Sequence, residues 1–385
     1  MLPNLYLASY LCHLFIPIPC ASYGGWEYKF HEIFRQPPLH FHKSHILFLY
    51  HFSMNKFSAY MKLLRLPGLG GLAIPPVFGA ISVGIYDFYN LVLLFAIGCF
   101  TAIFGFVLND YADVELDKLV KELHGKPLVS GTISKKSAVA ICIFCVLLTF
   151  LFTFILWKGE NFDDLKFSAI LVLFIAGILG TIYNLYGKKI AGSDFMVALS
   201  MAFVFLFGAL AFAKPTLLTW IIFWLTFNQT LHMNAVEGGI KDADHDFIMG
   251  VKNIALTAGV KVEGKKIFIP WHFKAFGLAI RLSSACLIFI PFIYGLSYYI
   301  WQIILLFLLI ALVILIEIRL LWLKEFDRRQ IRKLIASAAF ARYSIVPIML
   351  ISKIGMISFF LVALPLLWYI AFTPLTGAKL FQPEM

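Results

Sequence analysis

Asn109, Asp110, Asp113 and Asp117 stand at the end of a long apolar run, in the stretch VLNDYADVELDKLV. Carboxylates are expensive beside lipid and persist there only where something compensates them. Asn109, Asp113 and Asp117 are spaced by four, and each step of four turns an α-helix by roughly 40°. The three therefore project from one face, and on this reading Asp110 and Glu115 point elsewhere. A row of hard oxygen ligands suits magnesium, which takes one or two carboxylates, keeps several waters and gives its other positions to substrate phosphates. It suits zinc poorly, since zinc prefers His and Cys.

A second acidic group lies in NAVEGGIKDADHDFIMGVKNIA, residues 234–255. Asp242 and Asp246 are again four apart, while Asp244 sits roughly 200° from Asp242 on a regular helix and cannot join them. Cationic side chains stand close by in sequence: Lys126 after the first group, Lys188 and Lys189 after Tyr183, and Lys241 just before Asp242. Metal ions alone would not need two acidic ends with lysines between them. A bridging polyanion would, and the combination points to a diphosphate held by magnesium and clamped by ammonium groups. His124 and His245, near the two groups, read as solvated loop residues.

The elements that must position these residues are membrane helices. The chain is 61% apolar and only 14% charged, with a mean hydropathy of +0.87, against roughly 25% charged residues in soluble domains. Nine runs are long enough to cross the roughly 30 Å hydrocarbon layer. They lie near 66–84, 90–109, 138–157, 167–186, 194–213, 216–235, 276–297, 299–318 and 346–372. The fold class is thus an all-α polytopic membrane protein, its helices surrounding a central cleft. The loops after the second, fourth, sixth and eighth runs hold 20 Lys and Arg, and the other loops between runs hold three. By the positive-inside rule the first set is cytoplasmic, with the N-terminus and both acidic groups inside and the C-terminus outside. The net charge of +11 is then a membrane-facing basic surface that favours anionic lipid head groups. Nucleic acid is not an expected partner.

Three further segments are read without chemistry. KEFDRRQIRKLIASAAFAR, residues 324–342, is expected to be a surface helix between the last two spans. Cys142 and Cys145 form C-x-x-C inside an apolar helix and read as small core residues, because metal and redox sites need more than that spacing. Residues 1–53 hold six of the ten histidines and no sustained span, and read as a poorly structured leader. The domain proper would be residues 54–385, entered through an interfacial helix carrying Lys56, Lys62 and Arg65 on its rim.

These motifs resemble the UbiA-type intramembrane prenyltransferase family. The family's N-D-x-x-D-x-x-x-D is met by Asn109, Asp110, Asp113 and Asp117, and its K/R-P-L-x-S-G-x-I-S continuation by Lys126 through Ser134. Tyr183 and the lysines after it resemble a further family segment, as do LLRLPG and PPVFG near the first span. The second motif, D-x-x-D-x-x-x-D then G-x-K-T-L, is partly met by Asp242, Asp246, Gly250 and Lys252. Gly239 stands where its first Asp is expected. Glu237 could substitute if the helix is unwound at Gly238–Gly239, and an Asp placed at 239 is expected to face the same cavity.

The resemblance, covering roughly residues 54–375, implies transfer of an isoprenyl chain from a prenyl diphosphate to an aromatic or lipid-head acceptor, as in quinone or lipid biosynthesis. It implies Mg2+ on Asn109, Asp113, Asp117, Asp242 and Asp246. Lys126, Tyr183, Lys188, Lys189 and Lys241, with Asn109, would bind the diphosphate. Ether-lipid geranylgeranyl transfer of the archaeal type is one branch of that expectation. From another class, a cation transporter also places acidic residues in membrane helices, but its sites lie near the midplane. Here both groups sit at helix ends beside lysines, which favours the enzyme.

Overall fold

The computed structural model describes residues 56–378; the leader read into residues 1–53 falls outside them. Helix α1 (Lys56–Leu63) is separated by a 41° bend from a helical stretch, Leu66–Ser82, that ends in α2 (Pro75–Ser82). There follow α3 (Phe88–Asp117), α4 (Lys135–Leu156), α5 (Asp164–Tyr186), α6 (Asp194–Leu210) and α7 (Leu217–Leu231). After α7 the chain continues as a π-helical turn, His232–Gly238, and then α8 (Ala243–Ile248). A short antiparallel hairpin, β1 (Lys261–Glu263) and β2 (Lys266–Phe268), precedes α9 (Trp271–Ile293), α10 (Ile300–Leu321), α11 (Arg328–Met349) and α12 (Met356–Phe372).

Among the described residues six helices are long and apolar enough to cross a membrane, or seven if the bent α1–α2 pair is one span. The count of nine is not reached on that measure, because α6 has 17 residues and the α-helical part of α7 only 15. The last expected span, 346–372, is not one helix either. It divides at Gly355, whose φ of 53° lies in the region glycine tolerates, between α11 and α12. Large apolar side chains such as Phe144, Leu147, Leu151 and Phe154 of α4 stay exposed on the outer surface, as lipid-facing residues do.

Two features of the fold set up the site. Helix α3 has 30 residues, about 45 Å at 1.5 Å per residue, whereas about 20 residues cross the hydrocarbon layer. Its last turns, which carry the aspartates, therefore extend beyond the apolar core. The second feature is close backbone contact. A Cβ on Gly79 would lie 2.1 Å from the Phe205 carbonyl oxygen, one on Gly208 1.9 Å from that of Pro76, and one on Gly98 2.0 Å from that of Ala73. Glycine at these crossings lets the stretch after the bend pack directly on α3 and α6. That packing holds Arg65, at the bend, beside the aspartate end of α3.

Candidate active site

The first acidic group lies on an unbroken helix. Asp110, Asp113 and Asp117 are all buried, at 7, 5 and 1% exposure, and each has a cationic partner. Lys126 Nζ lies 2.7 Å from Asp117 Oδ2 and 3.5 Å from Asp110 Oδ1, and Lys188 Nζ lies 3.0 Å from Asp113 Oδ2. Asp110 therefore belongs to the group and does not point elsewhere. Seven residues turn a helix roughly 700°, about 20° short of two full turns, so Asp110 stacks beneath Asp117 and one ammonium reaches both. Asn109 is half-buried at the head of the row. Glu115 is exposed and pairs with Lys118 and Lys135 on the outer side.

Arg65 is a site residue that sequence reasoning placed only on the rim of an interfacial helix. Its Nη2 donates to Asp110 Oδ1 at 3.2 Å, and its guanidinium lies 4.9 Å from the centre of the Phe106 ring. Its φ of 46° is left-handed, which costs a non-glycine residue about 1 kcal/mol or more. Pro67 is the available signal: it disfavours helical backbone at Leu66 and so marks a break just where an arginine stands.

The second acidic group is carried by broken backbone. After the π-helical turn, Asp242 interrupts the helix at φ −107°, ψ 9° before α8 begins. Asp242 is half-exposed and lies 3.3 Å from Lys241. Asp244 turns away to Arg328. Asp246 accepts a 2.7 Å bond from Asn253 Nδ2. Burial, then the charge of Asp242, pushes its carboxyl up to about 7; Lys188 opposes the shift and Asp113 adds to it. The charges of Asp113 and Lys188 thus reach Asp246, so the two acidic limbs share one electrostatic environment. A backbone bond ties the second limb to the loop that carries Lys188: the Lys252 N–H donates to the Lys188 carbonyl at 2.8 Å.

The remaining expected residues are placed less centrally. The Tyr183 hydroxyl lies 3.5 Å from Asn234 Oδ1 on the π-helical turn, and Lys189 is exposed. His124 Nε2 is 2.9 Å from the Lys118 carbonyl. His245 is buried, contrary to its reading as a solvated residue; burial, then the Arg328 charge, lowers its pKa. Burial also opposes the charge of Lys126, but Asp110 and Asp117 outweigh it and raise its pKa.

Two expectations about the second limb fail. Glu237 does not stand in for the missing Asp: it is 1% exposed and held by Arg342 at 2.5 and 3.1 Å and by Arg281 at 3.1 Å. Gly239 does not face the acidic cavity, since a Cβ there would lie 2.5 Å from the Ala255 Cβ. Residues 324–342 are not only a surface helix, because Arg342 is buried in that ion pair.

Five carboxylates (Asp110, Asp113, Asp117, Asp242 and Asp246) thus meet four close cations, Arg65, Lys126, Lys188 and Lys241. The donors are hard oxygens and the sum is negative; burial first, and then the neighbouring carboxylate of Asp242, raise the Asp246 pKa. That donor set fits a divalent cation of the magnesium type and offers zinc no Cys ligand.

A helical membrane protein with paired acidic helix ends, lysines between them and a divalent-cation donor set defines an intramembrane enzyme for a diphosphate substrate. The profile of the UbiA prenyltransferase family matches residues 72–345, and the chain belongs to that family and is a prenyltransferase. It is 30% identical over 210 residues to a 4-hydroxybenzoate octaprenyltransferase of Polynucleobacter necessarius, covering 53% of this chain and 70% of that protein. It is 29% identical over 254 residues to a digeranylgeranylglyceryl phosphate synthase of Saccharolobus solfataricus, covering 61% and 84%. The solved structure of a digeranylgeranylglyceryl phosphate synthase superposes with a TM-score of 0.52 at 22% identity, covering 78% of this chain and 97% of that one; this likeness establishes the fold.

Proposed function

We propose that prenyl transfer takes place between the two acidic limbs, with magnesium as the cation and a hydrophobic or amphipathic molecule as acceptor. The observation that carries this reading is the excess of carboxylate over close cation where the two limbs meet. Asn109, Asp113 and Asp117 from one limb, and Asp242 and Asp246 from the other, would hold magnesium. Asp110 joins them through Lys126. Bound there, magnesium supplies Lewis-acid neutralisation of the leaving diphosphate.

The chain's own residues do the rest. Lys126 and Lys188 exchange their carboxylate partners for phosphate oxygens, and Lys189, Lys241 and Tyr183 line the approach. Arg65, fixed by the backbone turn, holds Asp110 in place while Lys126 moves. As the allylic C–O bond breaks, its electron pair stays with the diphosphate. The apolar helices exclude water, so the acceptor quenches the cation and gives up a proton.

The short helices α6 and α7, the latter prolonged by its π-helical turn, complete a nine-span domain with the bent α1–α2 pair. That domain comprises residues 54–385. The cationic asymmetry of the loops supports an orientation with the site on the cytoplasmic side, and the cell membrane is the membrane proposed. Reporter fusions at Lys189 and Lys214 should accordingly read opposite sides.

Purified protein given geranylgeranyl diphosphate and a panel of aromatic and glyceryl acceptors, with products read by mass spectrometry, tests the reading. Prenylated product and released diphosphate, both dependent on magnesium, are expected. Failure of labelled prenyl diphosphate to bind at saturating magnesium would overturn it.

A further inference from the structure

A second cluster of buried charge lies away from the aspartates. Arg281 of α9 and Arg342 of α11 are 4% and 8% exposed, and with Glu237, Glu317 and His232 they form a network inside the bundle. Arg281 donates to Gln229 Oε1 at 3.2 Å and Glu237 Oε1 at 3.1 Å, and its Nη2 lies 2.6 Å from His232 Nδ1. A guanidinium is always a donor, so Nδ1 accepts and the histidine proton sits on Nε2, 2.9 Å from Glu317 Oε1. His232 is then neutral, and two arginines balance two glutamates. A metal ion among His232, Glu237 and Glu317 would have to displace Arg342 from both Glu237 oxygens and face two guanidiniums.

The network is electrically closed, but Arg281 Nε, Arg342 Nε, His232 Nε2 and Glu317 Oε1 are buried and make no hydrogen bond among the described residues. The last two stand 2.9 Å from each other, which leaves the two arginine Nε–H groups without a nearby acceptor. Arg281 Nε stands 3.8 Å from Glu317 Oε2, beyond hydrogen-bond reach. Buried donors without partners are rare and costly, so they call for an acceptor atom. Both arginines line a cavity of about 140 Å³ whose other walls are mostly apolar, among them Phe78, Leu225, Ile288 and Val313. An apolar cavity of roughly 150 Å³ admits a single benzene ring.

We propose that this cavity binds the head of the acceptor: an uncharged, ring-sized group whose hydroxyl or carbonyl oxygen is received by Arg281 and Arg342. This rests on the prenyl-transfer reading and names the acceptor class. A prenyl chain has the right apolarity but brings no oxygen to the two N–H donors. A carboxylate or phosphate brings oxygen but adds an unbalanced charge in a low-dielectric interior, where single charges are penalised heavily. A neutral phenol or quinol satisfies both conditions.

Equilibrium dialysis of the detergent-purified full chain, with radiolabelled hydroquinone, 4-hydroxybenzoate and geranylgeranyl diphosphate as separate probes, tests this. Hydroquinone should bind at least about tenfold more tightly than 4-hydroxybenzoate, the scale of a hydrogen bond to a charged group set against an unbalanced charge. The charge-balanced pair Arg281→Met with Glu317→Gln should weaken hydroquinone binding about tenfold or more. Ala285→Leu, which narrows the cavity and leaves the ion network intact, should weaken it as well, and guards against misfolding of the paired variant.

Equal or tighter binding of 4-hydroxybenzoate overturns the proposal. So does Ala285→Leu lowering geranylgeranyl diphosphate affinity while hydroquinone affinity stands, which would make the cavity a tail site. Hydroquinone binding without any binding of geranylgeranyl diphosphate would sink the prenyl-transfer reading and support the site alone. Geranylgeranyl diphosphate binding without hydroquinone would sink the site alone.

Discussion

The two acidic limbs do one job on opposite kinds of backbone. The first rests on the continuous helix α3, and each of its three aspartates is buried and engaged by a lysine. The second rests on a π-helical turn, a break at Asp242 and the six-residue helix α8, with one carboxylate half-exposed and one bonded to Asn253. A continuous helix fixes ligands before the metal arrives, and a broken backbone leaves them less preorganised. The first limb should therefore set whether magnesium and diphosphate bind at all. The second should tune how much magnesium is needed.

The largest effect should come from the continuous limb. Asp113→Ala and Asp117→Ala should each lower kcat/KM for prenyl transfer at least about a hundredfold, the scale of losing one preorganised electrostatic group. Asp110→Ala should come close to them, because Lys126 spans Asp110 and Asp117. Steady-state kinetics on the three variants decides it. A loss at Asp110 far below the other two would return it to a separate role.

Substitution in the broken limb should cost less. Asp246→Asn and Asp242→Asn are expected to raise the magnesium concentration for half-maximal activity by about tenfold, with a smaller change in the rate at saturating magnesium. Unchanged magnesium dependence in both would reduce the second limb to a solvated loop.

Acidity gives a finer test. The Asp246 carboxyl titrates at about 7, so lowering the pH through neutrality protonates it and a proton competes with magnesium. The magnesium requirement should rise as pH falls from about 8 to about 6, by at most about tenfold per unit for one proton. It should stay flatter in Asp246→Asn. An equal rise in that variant would assign the titration to another group.

The smallest effect on chemistry should be a packing effect. Gly239→Asp forces a side chain against Ala255, and overpacking costs about 1–3 kcal/mol. A lower Tm is expected, with part of it regained by Ala255→Gly and no gain in magnesium affinity. A lowered magnesium requirement would restore the idea that position 239 faces the acidic cavity.

The same contrast explains what could be read from the amino acids. On regular α3 the spacing of Asn109, Asp113 and Asp117 placed them on one face, and only the seven-residue relation of Asp110 to Asp117 went undrawn. On the second limb Asp244 turns away from Asp242 and Asp246, as their spacing reads, to pair with Arg328, but the π-helical turn upstream changes the angular phase around Glu237 and Gly239. Glu237 and Gly239 were thus assigned to a cavity they do not face. The buried network was also legible in part: Arg281 and Glu317 stand inside runs long enough to span, where a charge signals function by default. Their partner Arg342 lay in a basic segment that reads as surface. Nothing local in the sequence ties it to Glu237, which is 105 residues away.

The central claim is that both limbs act on one metal–diphosphate unit, and a double-mutant cycle tests it most directly. Geranylgeranyl diphosphate binding should be measured over a series of magnesium concentrations for Asp113→Asn, Asp246→Asn and the double variant. Groups holding one ligand should couple by about 0.5–3 kcal/mol, whereas independent sites add to within about 0.5 kcal/mol. Coupling above that floor, together with loss of magnesium dependence in the double variant, is the result expected here. Strict additivity, with each single variant keeping the parent's magnesium dependence, would contradict a shared site.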